Sequence, residues 1–374
     1  MTFLRTARTC LDSFLPGLDK TLAAESMLDL EQPGGDALAM FKQAHGPALL
    51  VPKEFGGMGA SLSEAVHIQR AIGSRSPSLA VATTMHHFSV ASLVELTATG
   101  GGFEWAMLEA IATNNWLMSS GFAEGKTGQH ILAPTMQAKR VDDGLVVRGA
   151  KKPCSLTWSM DLMSASVAVE DQNGGPDTMA VILIPANSEG IERRRFWESW
   201  VLAGAESDEI VLHDVHVPDA LVFYPAAGTG MDPIQSRGFT WFELLIAASY
   251  VGVASGLAER VIAGGRGSAE DRVGLATELE SATAALQFAA SGLASRGDLD
   301  AELAQALYAR YAAERAIERV AMAAATMAGG MAFITSSEIP YLLSASRALA
   351  FHPPSRSAAS EALARHLAGG ALVL

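Results

Sequence analysis

The chain has 374 residues, 49% of them hydrophobic and 18% charged, and a formal charge of −13 at pH 7. That length admits two or three domains around a sizeable buried core. The apolar composition points to a globular fold with subunit contacts, and the acidic balance argues against a nucleic-acid partner. In chain order, the first residues, Met1-Thr-Phe-Leu-Arg-Thr-Ala-Arg8, lack the apolar core of a signal peptide. No run reaches the roughly 18 consecutive apolar residues of a membrane span. A soluble, cytoplasmic protein with no membrane partner is expected. Cys10 and Cys154 stand far apart without redox or metal spacing, which fits a reducing compartment.

Residues 1–115 read as an N-terminal helical domain. Apolar residues recur every three or four positions through Ser61–Ile72 and Leu79–Leu96, and Pro52 and Gly56-Gly57 mark a loop. Residues 116–225 read as a small central β domain. Val141–Arg148 is a hairpin turning at Asp143-Gly144, Leu162–Val169 and Met179–Ile184 are apolar runs of strand length, and Glu209–Val217 alternates up to Pro218. His213 and His216 lie three apart, which on a strand puts them on opposite faces, so no metal site is expected. Residues 226–374 return to helix in Phe239–Ile262, Leu275–Ser295 and Leu303–Ala328, a C-terminal four-helix bundle. The Ala, Met and Gly run Met322–Met331 permits close helix packing. The fold class is α+β.

Particular stretches then narrow the reading. Val51-Pro-Lys-Glu-Phe-Gly-Gly-Met-Gly59 matches the Pro-Glu-x-Gly-Gly-x-Gly stretch of acyl-CoA dehydrogenases, and Trp200–Pro218 matches the end of their β domain. The whole chain resembles that family in its order of domains. The resemblance implies a flavoprotein with FAD that removes an α-proton and a β-hydride from an acyl thioester. Met118-Ser-Ser-Gly-Phe-Ala-Glu124-Gly-Lys-Thr-Gly128-Gln129 stands where the family lines the flavin, and implies roles for Ser119, Ser120 and Gly128. Gly149–Thr157 stands where a hydroxyl meets the flavin ring. Ser155 keeps that hydroxyl, Pro153 replaces the shielding aromatic, and Trp158 is the substitute. Arg272 stands in for an arginine that meets the flavin diphosphate, and Gly329-Gly330 keeps a backbone approach to it.

The family's base, a Glu near the C-terminus, falls on Pro353 within Arg347-Ala-Leu-Ala-Phe-His352-Pro-Pro-Ser355. Proline has no proton-accepting side chain. Two candidates remain. Glu243 lies among Phe239, Trp241, Phe242 and Leu244 on the first bundle helix, one residue and about 100° from the family's alternative base position. Burial there raises a carboxyl pKa. The bland reading is a Glu that pairs with an Arg or faces solvent. His352 adjoins the usual base position and titrates near neutrality. The bland reading is a helix-ending residue. His86-His87 reads as packing.

The first functional reading is an acyl-thioester dehydrogenase acting on a CoA or carrier-protein thioester, with Glu243 as base and an electron-transfer partner. Arg193-Arg194-Arg195 offers a docking patch for an acidic carrier. The alternatives are a monooxygenase of the same fold using reduced flavin from a separate reductase, redox-neutral carbanion chemistry on a carrier-bound acyl group, and a non-catalytic carrier-binding relative. A homodimer or homotetramer is expected in each case.

Overall fold

Short polar side chains satisfy free N–H groups of a first turn at helix starts that include Ser61, Ser268, Asp298 and Ser355. The computed structural model describes residues 2–98, 102–123, 134–171, 175–225 and 231–374. The N-terminal helices are α1 (Arg5–Phe14), α2 (Leu18–Ala24), α3 (Met27–Leu30), α4 (Ala37–Gln43), α5 (Leu62–Arg75), α6 (Pro77–Thr97) and α7 (Glu104–Asn114). Ser61 and Glu64 form a reciprocal capping box at the start of α5. At the start of α6, the buried Glu31 carboxylate accepts from Ser78 N–H and from the hydroxyls of Ser76, Ser78 and Tyr341. Burial pushes its pKa up, against the pull of those donors.

The strands are β1 (Met118–Gly121), β2 (Gln137–Val141), β3 (Gly144–Cys154), β4 (Leu162–Val169), β5 (Thr178–Pro185), β6 (Ile191–Arg194), β7 (Asp208–Pro218) and β8 (Val222–Phe223). They form one sheet in the order β6-β7-β3-β2-β4-β5-β8, with β1 parallel to β4. All eight residues of β4 are buried, which explains its unbroken apolar run. The β2–β3 hairpin pairs Val141 with Gly144 and therefore turns at Asp142-Asp143, one residue earlier than the sequence pattern indicates. Gly144 belongs to the strand: a Cβ there would lie 2.1 Å from the Val217 carbonyl oxygen of β7.

The C-terminal helices are α8 (Pro233–Ala263), α9 (Ala269–Ala294), α10 (Leu299–Thr335), α11 (Glu338–Ser346) and α12 (Arg356–Leu367), with a 3-10 turn at Arg347–Phe351. The helix–sheet–helix order is the expected α+β arrangement. By length and apolarity α8 and α10 would each suit a bilayer, but the most apolar window of α8 is 94% buried within the protein. The Met322–Met331 run lies in a different setting from the close packing expected of it. Met322 and Met331 are 62% and 71% exposed, as are Phe333 and Ile334 beyond them at 45% and 77%.

Contacts divide the chain into two compact units. One, largely helical, comprises Met1–Gly46, Ala60–Thr84 and Ser236–Leu374; the other, which holds the sheet, comprises Pro47–Gly59 and Met85–Gln235. Helices α1 to α5 and the start of α6 thus share a unit with the bundle, whereas α7 and the rest of α6 go with the sheet. The reason is a small-residue crossing of α5 on α8. A Cβ on Gly73 would lie 2.2 Å from the Ser249 carbonyl oxygen, and one on Gly252 would lie 2.3 Å from that of Arg70. Gly252→Val is expected to lower stability by about 3 kcal/mol through overpacking. Gly274→Ala, on an open face of α9 with nothing within 4 Å, is expected to gain up to about 1 kcal/mol from helix propensity. Urea unfolding of both variants checks the pair.

Candidate active site

In the helical unit, α10 presents Leu303, Leu307, Arg310, Ala313, Ile317 and Val320 on one buried stripe. A cation at a core position needs acceptors all round it. The first is Glu243 of α8, whose Oε2 accepts from Arg310 Nη1 at 2.8 Å, both side chains having no exposed surface. The others are backbone carbonyls of the segment after α11. Nη1 also donates to Pro354 O at 2.8 Å, and Nη2 donates to Leu349 O at 3.2 Å and to His352 O. Tyr311 OH adds a bond to Pro354 O at 3.0 Å. The half-buried His352 ring then lies edge-on to Phe242, with centroids 6.2 Å apart, and its Nε2 meets Tyr250 OH at 3.0 Å.

Electrostatics follow from that enclosure. Burial pushes the Glu243 carboxyl up to about 7 against the pull of Arg310. Its Oε1 is buried without a hydrogen-bond partner. Burial, helped by the Arg310 charge, pushes the His352 imidazole down to about 3, so the ring is neutral at pH 7. Burial also raises the Tyr250 phenol.

In the unit holding the sheet, the Ser119 hydroxyl donates to Ser155 O at 2.6 Å and ties β1 to the turn after β3. Ser155 Oγ pairs with Ser207 Oγ at 2.9 Å. Ser119 and Ser155 are thereby brought together, with their hydroxyls spent inside the protein. Trp158 is 43% exposed. Its Nε1 donates to Asp208 Oδ2 at 2.7 Å, and the Arg195 guanidinium lies 5.0 Å from its ring centre. The neighbouring backbone N–H groups of Trp158 and Ser159 donate to Glu206 Oε2. Ser120 is 7% exposed and spends its hydroxyl on none of the described residues. The indole is thus fixed from the inside and left exposed. His86 packs as expected: Nδ1 accepts from Met118 N–H at 3.0 Å, so Nε2 carries the proton and donates to Pro47 O at 3.0 Å.

Other sequence candidates lie elsewhere. Gly128, with Glu124 and Gln129, falls outside the described residues. Arg272 turns its Nη1 onto the carbonyls of Gly265, Arg266 and Gly267, just past the C-terminal end of α8, a local capping job that competes with holding a diphosphate. Gly329 breaks α10 with φ 84° and ψ 160°, a conformation essentially confined to glycine. A Cβ on it or on Gly330 would meet nothing within 4 Å, so the backbone there is open.

The Arg193–Arg195 run is dispersed: Arg193 donates to Thr157 O and Ala186 O, Arg194 pairs with Glu192, and Arg195 pairs with Asp208. His213 and His216 line the same depression, with Asp214 between them at φ 53°. That left-handed residue and the adjacent register shift against β3 break the alternation. Sequence reasoning missed Arg310 and Tyr250. The signal for Arg310 was present, as a cation on the apolar stripe of one helix with a lone acid on the apolar face of another.

No family profile matches the chain. It is 42% identical over 377 residues to isobutylamine N-hydroxylase of Streptomyces viridifaciens, with both chains covered completely. The chain belongs to that enzyme's family. A dibenzothiophene monooxygenase of Rhodococcus erythropolis is 28% identical over 238 residues, 61% of this chain and 56% of the relative. Among solved structures, KijD3 in complex with FMN and a dTDP-amino-sugar superposes with a TM-score of 0.83 at 18% identity, covering 98% of this chain and 94% of that one. The prolyl acyl carrier protein oxidase AnaB superposes with a TM-score of 0.81 at 18% identity, covering 97% and 99%. These share the acyl-CoA dehydrogenase-like fold, and the family member is an oxidoreductase of the flavoprotein class with that fold.

Two opposed pH dependences follow from the site. Between the ordinary carboxyl value of 4.5 and about 7, the folded chain holds Glu243's extra proton, so stability falls as pH rises. Between about 3 and 6.5, the unfolded chain holds His352's extra proton, so stability rises with pH. Relative to wild type, His352→Asn is therefore expected to lose stability from pH 4.5 to 6.5, and Glu243→Gln to gain it. Arg310→Met, which leaves a buried carboxyl unpaired, is expected to cost about 3–5 kcal/mol at pH 7, with much of this recovered in Glu243→Leu/Arg310→Met. Urea unfolding across pH measures all three effects.

Proposed function

We propose that the protein is a flavin-dependent monooxygenase that N-hydroxylates a small, largely apolar primary amine. The observation that carries this reading is the full-length identity of 42% to an amine N-hydroxylase. Acyl-thioester dehydrogenation has less support, because Pro353 occupies the base position and Glu243 has no exposed surface and is paired with Arg310. The Trp158 platform and the Ser120 hydroxyl support binding of a flavin, FAD or FMN. When bound in reduced form, that group supplies the two electrons with which dioxygen places one oxygen atom on the amine nitrogen and releases the other as water.

The chain's own residues govern charge and polarity. An amine must carry its lone pair to be oxygenated. The burial and Arg310 charge that keep His352 neutral also disfavour an ammonium ion, so the substrate is held as the free base. In this reading, the neutral His352 imidazole, fixed on Tyr250, offers the amine a polar contact without placing a second cation beside it. Phe242 gives that neighbourhood an apolar wall. The reductant arrives from a separate flavin reductase in the cytoplasm. A second copy covers the exposed Met331 and Ile334 face of α10, in a homodimer or homotetramer.

The test supplies the purified protein with FMN or FAD, a flavin reductase, NADH and isobutylamine, and measures oxygen uptake and hydroxylamine. The expected result is reductase-dependent hydroxylamine formation with no flavin bleaching by acyl thioesters; bleaching without oxygenation overturns the reading. The apparent kcat/KM for amine is expected to rise about tenfold per pH unit between 7 and 9, below the amine pKa of about 10. His352→Asn is expected to lower hydroxylation about 10²-fold.

A further inference from the structure

We propose that Glu243 and Arg310 are positioning residues: their ion pair fixes the Leu349–Pro354 backbone and thereby sets the direction of the His352 imidazole. The functional part of this inference rests on the oxygenation reading above; the structural part stands without it. Arg310 uses four of its five N–H groups, two on Nη1 for Glu243 and Pro354 O, and two on Nη2 for Leu349 O and His352 O. One planar group therefore gathers α8, α10 and the segment that follows α11. Leu349 is buried, but beyond it Phe351 is 80% exposed and Pro353 is exposed, so the His352 end of the segment is the part that needs gathering.

Glu243 anchors the other side of the guanidinium. Its Oε2 lies 2.8 Å from Nη1, which orients the fork so that Nη2 points at the segment. The ring it serves is confined from two further directions, by Phe242 and by Tyr250. Phe242 and Glu243 are consecutive on α8, so one helix turn both walls the imidazole and anchors its brace. Rigidity of this kind matters for a group that must meet a reacting nitrogen within hydrogen-bond reach. Lysine would keep the charge, but its three donors radiate from one atom and do not reproduce the fork.

The experiment compares Glu243→Ala, Glu243→Gln and Arg310→Lys with wild type, each first shown to be folded by thermal melting. Hydrogen exchange of the peptide spanning 347–356 is measured in flavin-free protein. Hydroxylamine formed per oxygen consumed is measured with isobutylamine and reductase-supplied FMN. Glu243→Ala and Arg310→Lys are expected to raise exchange at least about tenfold and to lower the product-to-oxygen ratio about tenfold, with the amine KM within about threefold. Glu243→Gln, whose amide oxygen still accepts from Nη1, is expected to restore both to within about fivefold of wild type. The brace is overturned if Glu243→Ala and Arg310→Lys exchange like wild type. It is also overturned if Glu243→Gln is as inactive as Glu243→Ala while its exchange stays normal, since the carboxyl would then be handling a proton. Should the wild type oxygenate no amine, the oxygenation reading fails, and the exchange results alone decide whether the brace exists.

Discussion

The helical unit depends on how a guanidinium can be kept inside a protein. Arg310 has no exposed surface, and removing such an ion from water costs several kcal/mol. One carboxylate cannot meet five N–H groups, so the cation draws in carbonyls. The carbonyls it draws are those of the segment after α11, which the C-terminal chain would otherwise leave loosely held. The enclosure is incomplete on the acid side, where Glu243 Oε1 has no donor. That is why burial outweighs the nearby cation and the carboxyl rises to about 7 rather than falling as an exposed partner of arginine would. The pair is therefore a poor source of stability and a good source of geometry.

The unit holding the sheet meets its buried polar groups in a different way, with small hydroxyls and backbone. Ser119, Ser155 and Ser207 satisfy one another and one carbonyl, while Glu206 and Asp208 collect the N–H groups of Trp158, Ser159, Phe196 and Trp197. Asp208 is held below its ordinary pKa by these donors despite burial. The result is a turn whose outward-facing feature is an indole. An aromatic surface kept exposed by so many inward bonds is the arrangement expected where a planar partner belongs.

Much of this was legible in sequence. The unbroken apolar run of β4 has strand length and is buried throughout, and the long apolar stretches behind α6 and α8 are likewise too apolar to be anything but core. What was not legible depended on neighbours distant in the chain. Gly144 looks like a turn residue, yet it is glycine because β7 passes close to it. His213 and His216 share a face because Asp214 adopts a left-handed conformation, which strand periodicity does not foresee. The Met322–Met331 run has helix-packing composition, yet its outer positions stay exposed, Met322 at 62% and Met331 at 71%. Glu243 stood out as an acid among aromatics, whereas Arg310 is one of three arginines on α10, with Arg315 and Arg319, and composition does not say which of them is buried. Placing Arg310 on the same stripe as Leu303, Leu307 and Ile317 is the step that would have paired them.

The same local field bears on the proposed oxygenation at the segment where the resemblance to acyl-CoA dehydrogenases implies a glutamate and this chain has Pro353. A carboxylate there would stand between His352 and Pro354, whose carbonyls the Arg310 guanidinium already holds. Without it, and with Glu243 partly protonated near neutral pH, the neighbourhood of His352 is net cationic. Such a field opposes proton abstraction by a carboxylate and opposes ammonium binding. In the proposed oxygenation it favours the two things required: an uncharged amine with its lone pair free, and negative charge developing on oxygen as the O–O bond breaks.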